Sequence, residues 1–160
     1  MLSRTQELLR NTEGRYATDA ELQFLEDYAK GFPARLKAYQ LLRKQERSLL
    51  QATYSQLRSR QPDLFPAGDK EALKKWQRDT IWVIRFSGLA MLLDDVDALR
   101  DRLMLWFQTI MRAFGTQKTC YHTYAALKET GLKLLGAEAG PLFVEVMESN
   151  RELFDLPEVV

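Results

Sequence analysis

Apolar residues recur at helical spacing along almost the whole chain. Leu22, Leu25, Tyr28, Ala29 and Phe32, then Leu36, Tyr39 and Leu42, trace successive turns of one helical face. Strand-type alternation is essentially absent, and so are the Asn-Gly and Asp-Gly pairs that close tight hairpins. A chain with this single periodicity has to bury helix against helix. The expected fold class is therefore all-α, globin-like or a bundle, because the loops read as short.

The punctuation gives approximate boundaries. Ser3 with Gln6 and Thr18 with Glu21 both fit a capping box. Gly14 should end a first helix over residues 2–13, whose large apolar side chains are Leu2, Leu8 and Leu9. So thin a helix is marginal alone and needs its own domain or a partner to pack on. Pro33 should kink or restart the second helix. A long helix through Leu41, Leu49, Leu50 and Leu57 should stop near Gln61, ahead of Pro62. Pro62 to Asp69 reads as a loop, with Asp69 as N-cap of a helix reaching about Leu93. Asp94, Asp95 and Asp97 interrupt there, and helix-end solvation and capping explain them more simply than a cation site. The next helix breaks at Gly115, the one after ends at Gly136, and Pro141 suits the first turn of the last.

Composition narrows the function. At 160 residues, 1–160 reads as a single domain, with 1–13 as an N-terminal helical extension. The 23 basic and 22 acidic residues leave a formal charge of +1, against a nucleic-acid binder, whose face should be clearly basic. The single cysteine, Cys120, and single histidine, His122, exclude an internal disulfide and a thiolate or His-rich metal site. MLSRTQELLR has no apolar signal-peptide core, and no run approaches the ~20 apolar residues of a membrane span. A cytoplasmic protein without membrane insertion is expected.

Lys74 to Phe86, KKWQRDTIWVIRF, places charge inside an apolar region. At ~100° per residue, Arg78, Trp82, Arg85 and Leu89 share one stripe, and Trp76, Thr80, Val83, Ser87 and Met91 another. Two Arg, a Trp and the neighbouring Asp79 suit a flat anionic ligand. Arg clamps carboxylates, Asp accepts N–H bonds and Trp stacks on rings. The alternative is a solvated helix face with a Lys75–Asp79 i,i+4 pair.

The chain resembles the phycobiliprotein family, the globin-like light-harvesting subunits of cyanobacteria, from about Gly14 to Met147. Gly14-Arg15-Tyr16 precedes a helix, and Pro62-Asp63 lies in the loop before the apolar helix. Trp76-Gln77-Arg78-Asp79 is similar to the family's Cys-x-Arg-Asp chromophore motif, and Arg85 falls where the family often has another Arg. Asp95-Val96 and Phe114-Gly115-Thr116 resemble its Gly-Asp-Val and Leu-Gly-Thr-Pro landmarks. The resemblance implies a globin-type fold with an N-terminal extension used in subunit pairing, and a bilin against the Arg-Asp helix. Asp79 would accept hydrogen bonds from pyrrole N–H groups and Arg78 would pair with a propionate. Trp76, however, stands where the family has the thioether-forming Cys, and Trp carries no thiolate. Residues Leu64 to Lys75 also form a shorter stretch than in pigmented subunits, which could open the pocket.

The resemblance is thus to a divergent member, similar to globins associated with bilin biosynthesis. It implies a non-enzymatic protein that binds a linear tetrapyrrole such as phycocyanobilin non-covalently, as an accessory to bilin synthesis or transfer. Arg78, Asp79 and Trp76 are the leading site residues, and Trp82 and Arg85 the second tier. The implied partners are the bilin, a second copy or a phycobiliprotein-like subunit, and a bilin-biosynthesis enzyme. One alternative is a pigment-free interaction protein that binds a bilin-pathway enzyme or phycobilisome component. Another is an allophycocyanin-like light-harvesting subunit.

Haem is disfavoured: a proximal His belongs between Val96 and Met111, and His122 lies beyond it. Cys120 and His122 point almost oppositely on a regular helix and should not form a nucleophile pair. Leu103, Met104, Trp106, Phe107, Ile110, Met111 and Phe114 read as core, with Trp106 able to line a pocket.

Overall fold

The computed structural model describes residues 1–65 and 69–154. The described residues contain helices and no strand. In chain order they are α1 (Leu2–Asn11), α2 (Asp19–Arg60), a 3₁₀ turn (Pro62–Leu64), α3 (Lys70–Leu93), α4 (Val96–Leu99), a π-helical turn (Arg100–Met104), α5 (Leu105–Ala113) and α6 (Gln117–Glu152).

The capping chemistry decides most boundaries. Thr18 accepts from the Glu21 N–H while the Glu21 side chain accepts from the Thr18 N–H, a full capping box opening α2. Asp69 accepts from the Ala72 N–H at 2.8 Å and Asp95 from the Ala98 N–H at 3.1 Å, opening α3 and α4. Asp94 ends α3 in the left-handed region at φ 51°. The expected Ser3–Gln6 box does not form. Met1 is the N-cap of α1, and the Ser3 backbone N–H and hydroxyl both donate to the Asp95 carboxylate, at 2.8 and 2.9 Å. A distant carboxylate thus takes the donor that a local box would have used.

Pro33 does not end a helix: α2 runs through it, with the ring on the exposed side. No residue of α2 before Arg35 is fully buried, so its first turns and α1 form an extension beyond the core.

Gly136 breaks α6 as expected, at φ 75° and ψ −173°, a conformation open to glycine. Lys128 and Glu148, 20 positions apart, meet at 2.6 Å. In a straight helix they would be ~30 Å apart, so α6 folds back on itself as two arms. Gly131 makes this closeness workable, since a Cβ there would lie 2.6 Å from the Phe143 ring. Pro141 lies just inside the second arm.

The core sits where α2, α3 and α6 cross, around Leu42, Leu49, Ile84, Met104, Leu127 and Phe143. Polar groups inside it are paired. Thr53 and Thr130 hydroxyls lie 2.9 Å apart, and the Asn150 amide donates to Ser87 at 3.0 Å. A second apolar cluster, Leu57, Phe65, Trp76 and Ala126, occupies the end where α3 begins. That end carries the candidate site.

Candidate functional site

The α3 stripe Trp76, Thr80, Val83, Ser87 and Met91 is buried throughout and is the face α3 turns to the core. Asp79 stands beside it, its side chain 25 % exposed. Two cavities meet at this carboxylate. The inner one, about 300 Å³, lies among Phe65, Trp76, Cys120 and Tyr124. The outer one, a groove of about 400 Å³, runs between Arg78 and Trp82 on α3 and Trp106 and Ile110 on α5. Lys75, Asp79, Phe107 and Met111 border both, so the two adjoin as a trough divided by these side chains, Asp79 among them.

Trp76 is a fixed wall of the inner cavity. Its indole Nε1 donates to the Thr123 hydroxyl at 2.9 Å. Phe65 packs on it edge-on at 5.4 Å and Tyr54 lies at 5.8 Å. The Trp76 indole therefore belongs to the protein interior as much as to the cavity lining.

Arg78 is exposed and donates from Nε to Asp79 Oδ1 at 3.1 Å. Arg78 borders the outer groove, and its guanidinium fork has further donors beyond Nε. Lys75 lies over the Phe114 ring at 4.5 Å. The i,i+4 pair with Asp79 that the spacing suggests does not form among the described residues. Trp82 sits edge-on to Phe86 at 5.8 Å on the outer groove.

Arg85 parts from this group. Both its Nε and Nη2 donate to Glu46 on α2, at 2.8 and 2.9 Å. It borders a separate hollow of about 290 Å³ with Tyr39 and Arg43. The structure therefore brings Arg78, Asp79, Trp76 and Trp82 to one trough and places Arg85 at another. The reason is a carboxylate on α2 within its reach.

Cys120 lines the inner cavity. Burial pushes its thiol up to about 12, against a hydrogen bond with Tyr124 and together with the Asp79 charge. A thiol so held is a poor nucleophile. Burial, reinforced by Cys120 and Asp79, also holds the Tyr124 hydroxyl well above its ordinary value. His122 borders neither cavity. Its ring lies edge-on to Tyr121 at 5.3 Å, and burial, with Lys118 nearby, lowers its pKa.

The run expected to be core divides. Leu103, Met104, Phe107 and Met111 are buried, whereas Trp106 is 56 % and Phe114 65 % exposed. Both exposed rings border the trough. Lys75, Phe107, Met111 and Tyr124 are trough residues that the motif did not indicate. Thr116, Cys120, Thr123 and Tyr124 recur at helical spacing, a signal that could have grouped them on one face of α6. The opening of the pocket by a shortened loop concerns in part residues 66–68, outside the described residues.

A family model described as phycobilisome protein matches residues 10–156. The chain belongs to the phycobilisome protein family. The all-α architecture with its N-terminal helical extension is the globin-like fold of that family. Its members bind linear tetrapyrroles, usually covalently, assemble into oligomers, and are pigment-binding proteins rather than enzymes. No curated protein matches the sequence significantly. Among the described residues of this phycobilisome protein, no helix is long and apolar enough to cross a membrane. No group of three metal-ligating side chains occurs among them either.

The trough has the features a bilin needs. It offers an apolar cavity, one half-buried carboxylate for ring N–H donors, and the cations Arg78 and Lys75 at its border for propionates. A bound bilin supplies absorption of visible light. It lacks a thiol at position 76, the family's attachment point on α3.

Proposed function

We propose that this phycobilisome protein holds a linear tetrapyrrole reversibly, without a covalent bond, as an accessory to bilin synthesis or transfer. Residues 1–160 would act as one domain, with 1–13 as its extension. The observation that carries the reading is Asp79 at the junction of two cavities, with Trp76 in place of the attachment thiol. Asp79 accepts hydrogen bonds from the central pyrrole nitrogens. Arg78, already oriented by its bond to Asp79, takes a propionate. Trp76 closes the inner end.

A visible absorption titration with phycocyanobilin tests this. The expected result is a saturable, sharpened red band, lost or shifted in Asp79→Ala. An unchanged bilin spectrum in the wild-type protein would count decisively against it.

A second reading rests on a different observation. No side chain of α1 is buried, and Leu2 and Leu9 are exposed. This favours a partner-binding extension, as in a pigment-free interaction protein. Deleting residues 1–13 should then abolish capture of the partner, and undiminished capture would exclude that mode.

A further inference from the structure

Trp106 is an exposed residue of the trough that the Arg-Asp motif leaves unexplained. It stands on α5 across the outer groove from Trp82, and the two are 56 % and 51 % exposed. Trp82 is steadied by Phe86, whereas Trp106 makes no ring contact among the described residues. Two large aromatic surfaces facing one groove are costly to leave in water. Their aim is set by the backbone. Leu99, Leu103, Phe107 and Met111 share the buried face at every fourth position. A regular helix would let that face drift by ~40° at each step. The wider π turn at Arg100–Met104 underwinds the helix and offsets the drift between Leu99 and Leu103. It thereby sets the phase at which α5 begins, and α5 carries Phe107 and Met111 to both cavities and Trp106 to the outer one.

The inner cavity alone, about 300 Å³, lies at the lower limit of the roughly 300–1,000 Å³ of small-molecule sites. A larger ligand must cross Asp79 into the outer groove. There it meets Arg78 on the rim, with Lys75 at the junction. The order of groups is apolar chamber, carboxylate, flanking cations, then paired indoles.

We propose that Trp82 and Trp106 form a two-sided aromatic clamp, and that the trough takes an extended, flat, anionic conjugated ligand lying in both chambers across Asp79. This rests on the bilin reading and adds to it a stacking residue on α5 and a specificity for length. Ligands confined to the inner chamber leave the clamp unused. Elongated ones gain the second pair of stacking faces.

The test compares wild type, Trp106→Ala, Trp106→Phe and Trp82→Ala, each checked for helicity and melting temperature. Phycocyanobilin is titrated by visible absorption. Trp106 is exposed, so its variants should fold. The expected result is roughly tenfold weaker binding in Trp106→Ala, the scale of one lost ring stack, with most of the affinity kept in Trp106→Phe. Wild-type affinity in Trp106→Ala overturns the clamp while leaving bilin binding intact. If wild type shows no bilin spectrum, the proposed function fails, and a second probe decides the clamp separately. That probe is 8-anilinonaphthalene-1-sulfonate, a flat aromatic anion, read by its fluorescence. Enhancement by wild type that falls in both Trp→Ala variants supports the clamp, and enhancement equal in all four proteins, or absent, overturns it.

Discussion

Trp76 and Cys120 show how single side chains set the chemistry of the trough. The indole N–H of Trp76 has one buried partner, the Thr123 hydroxyl. Thr123→Val keeps the shape and removes the acceptor, so the donor is left buried and unpaired. The expected loss is about 1–3 kcal/mol, read as a drop of several degrees in melting temperature. An unchanged melting temperature would show that the bond does not hold the ring. The Cys120 thiol, raised to about 12 by burial, should react very slowly with a disulfide reagent at neutral pH and rapidly after unfolding. Fast labelling of the folded protein would contradict the burial of this thiol. The closeness of Arg78 and Asp79 was legible because they are adjacent in the chain. Arg85 was not legible in the same way. Its partner, Glu46, lies on another helix, and spacing along α3 carries no information about α2.

At the scale of elements, local chemistry was read well wherever the helix end satisfies itself. Thr18, Asp69 and the glycines at 14, 115 and 136 needed nothing beyond adjacent residues. The Ser3–Gln6 box failed because Asp95 competes for the Ser3 donors. Asp95 therefore serves two elements, capping α4 and anchoring α1. Burial would raise its pKa, but hydrogen bonds from Ser3 and Ala98 and the nearby N-terminal charge hold it below the usual value. Asp95→Ala should cost about 1 kcal/mol as a lost cap and release α1. Amide exchange measured by mass spectrometry should then lose its protection over residues 2–11, with the α6 amides unchanged. Retained protection over α1 would mean that its apolar side chains, and not this carboxylate, keep it docked.

For the whole molecule, the pH response follows from its ion pairs. Arg151 and Lys128 hold Glu148 near 2, against an ordinary 4.5, and Arg60 lowers Glu129. A carboxylate whose folded pKa is depressed adds stability above its unfolded value and loses it as pH falls through the folded value. Glu148 ties the two arms of α6 together, so this loss weakens the fold-back at Gly136. His122 acts in the same direction. Its lowered folded pKa makes protonation favour the unfolded chain as pH falls below 6.5. The urea midpoint should hold steady from neutral pH to about 6.5, ease slightly below it, and fall more steeply below about 4.5. Glu148→Gln should flatten the acid limb, and an equally steep limb in that variant would assign it to other groups.

The sequence alone determined what is local: the all-α class, most helix ends and the two stripes of α3. Helical periodicity, capping and adjacency act over a few residues, so a linear reading reaches them. The tertiary structure decided what depends on distant segments meeting. It set the fold-back of α6 on Gly131, the turn of Arg85 toward Glu46 and the lock of Trp76 on Thr123. It also set Trp106 on the groove that Trp82 borders. Each is a contest among partners brought together by packing, and the winner depends on which helix lies within reach.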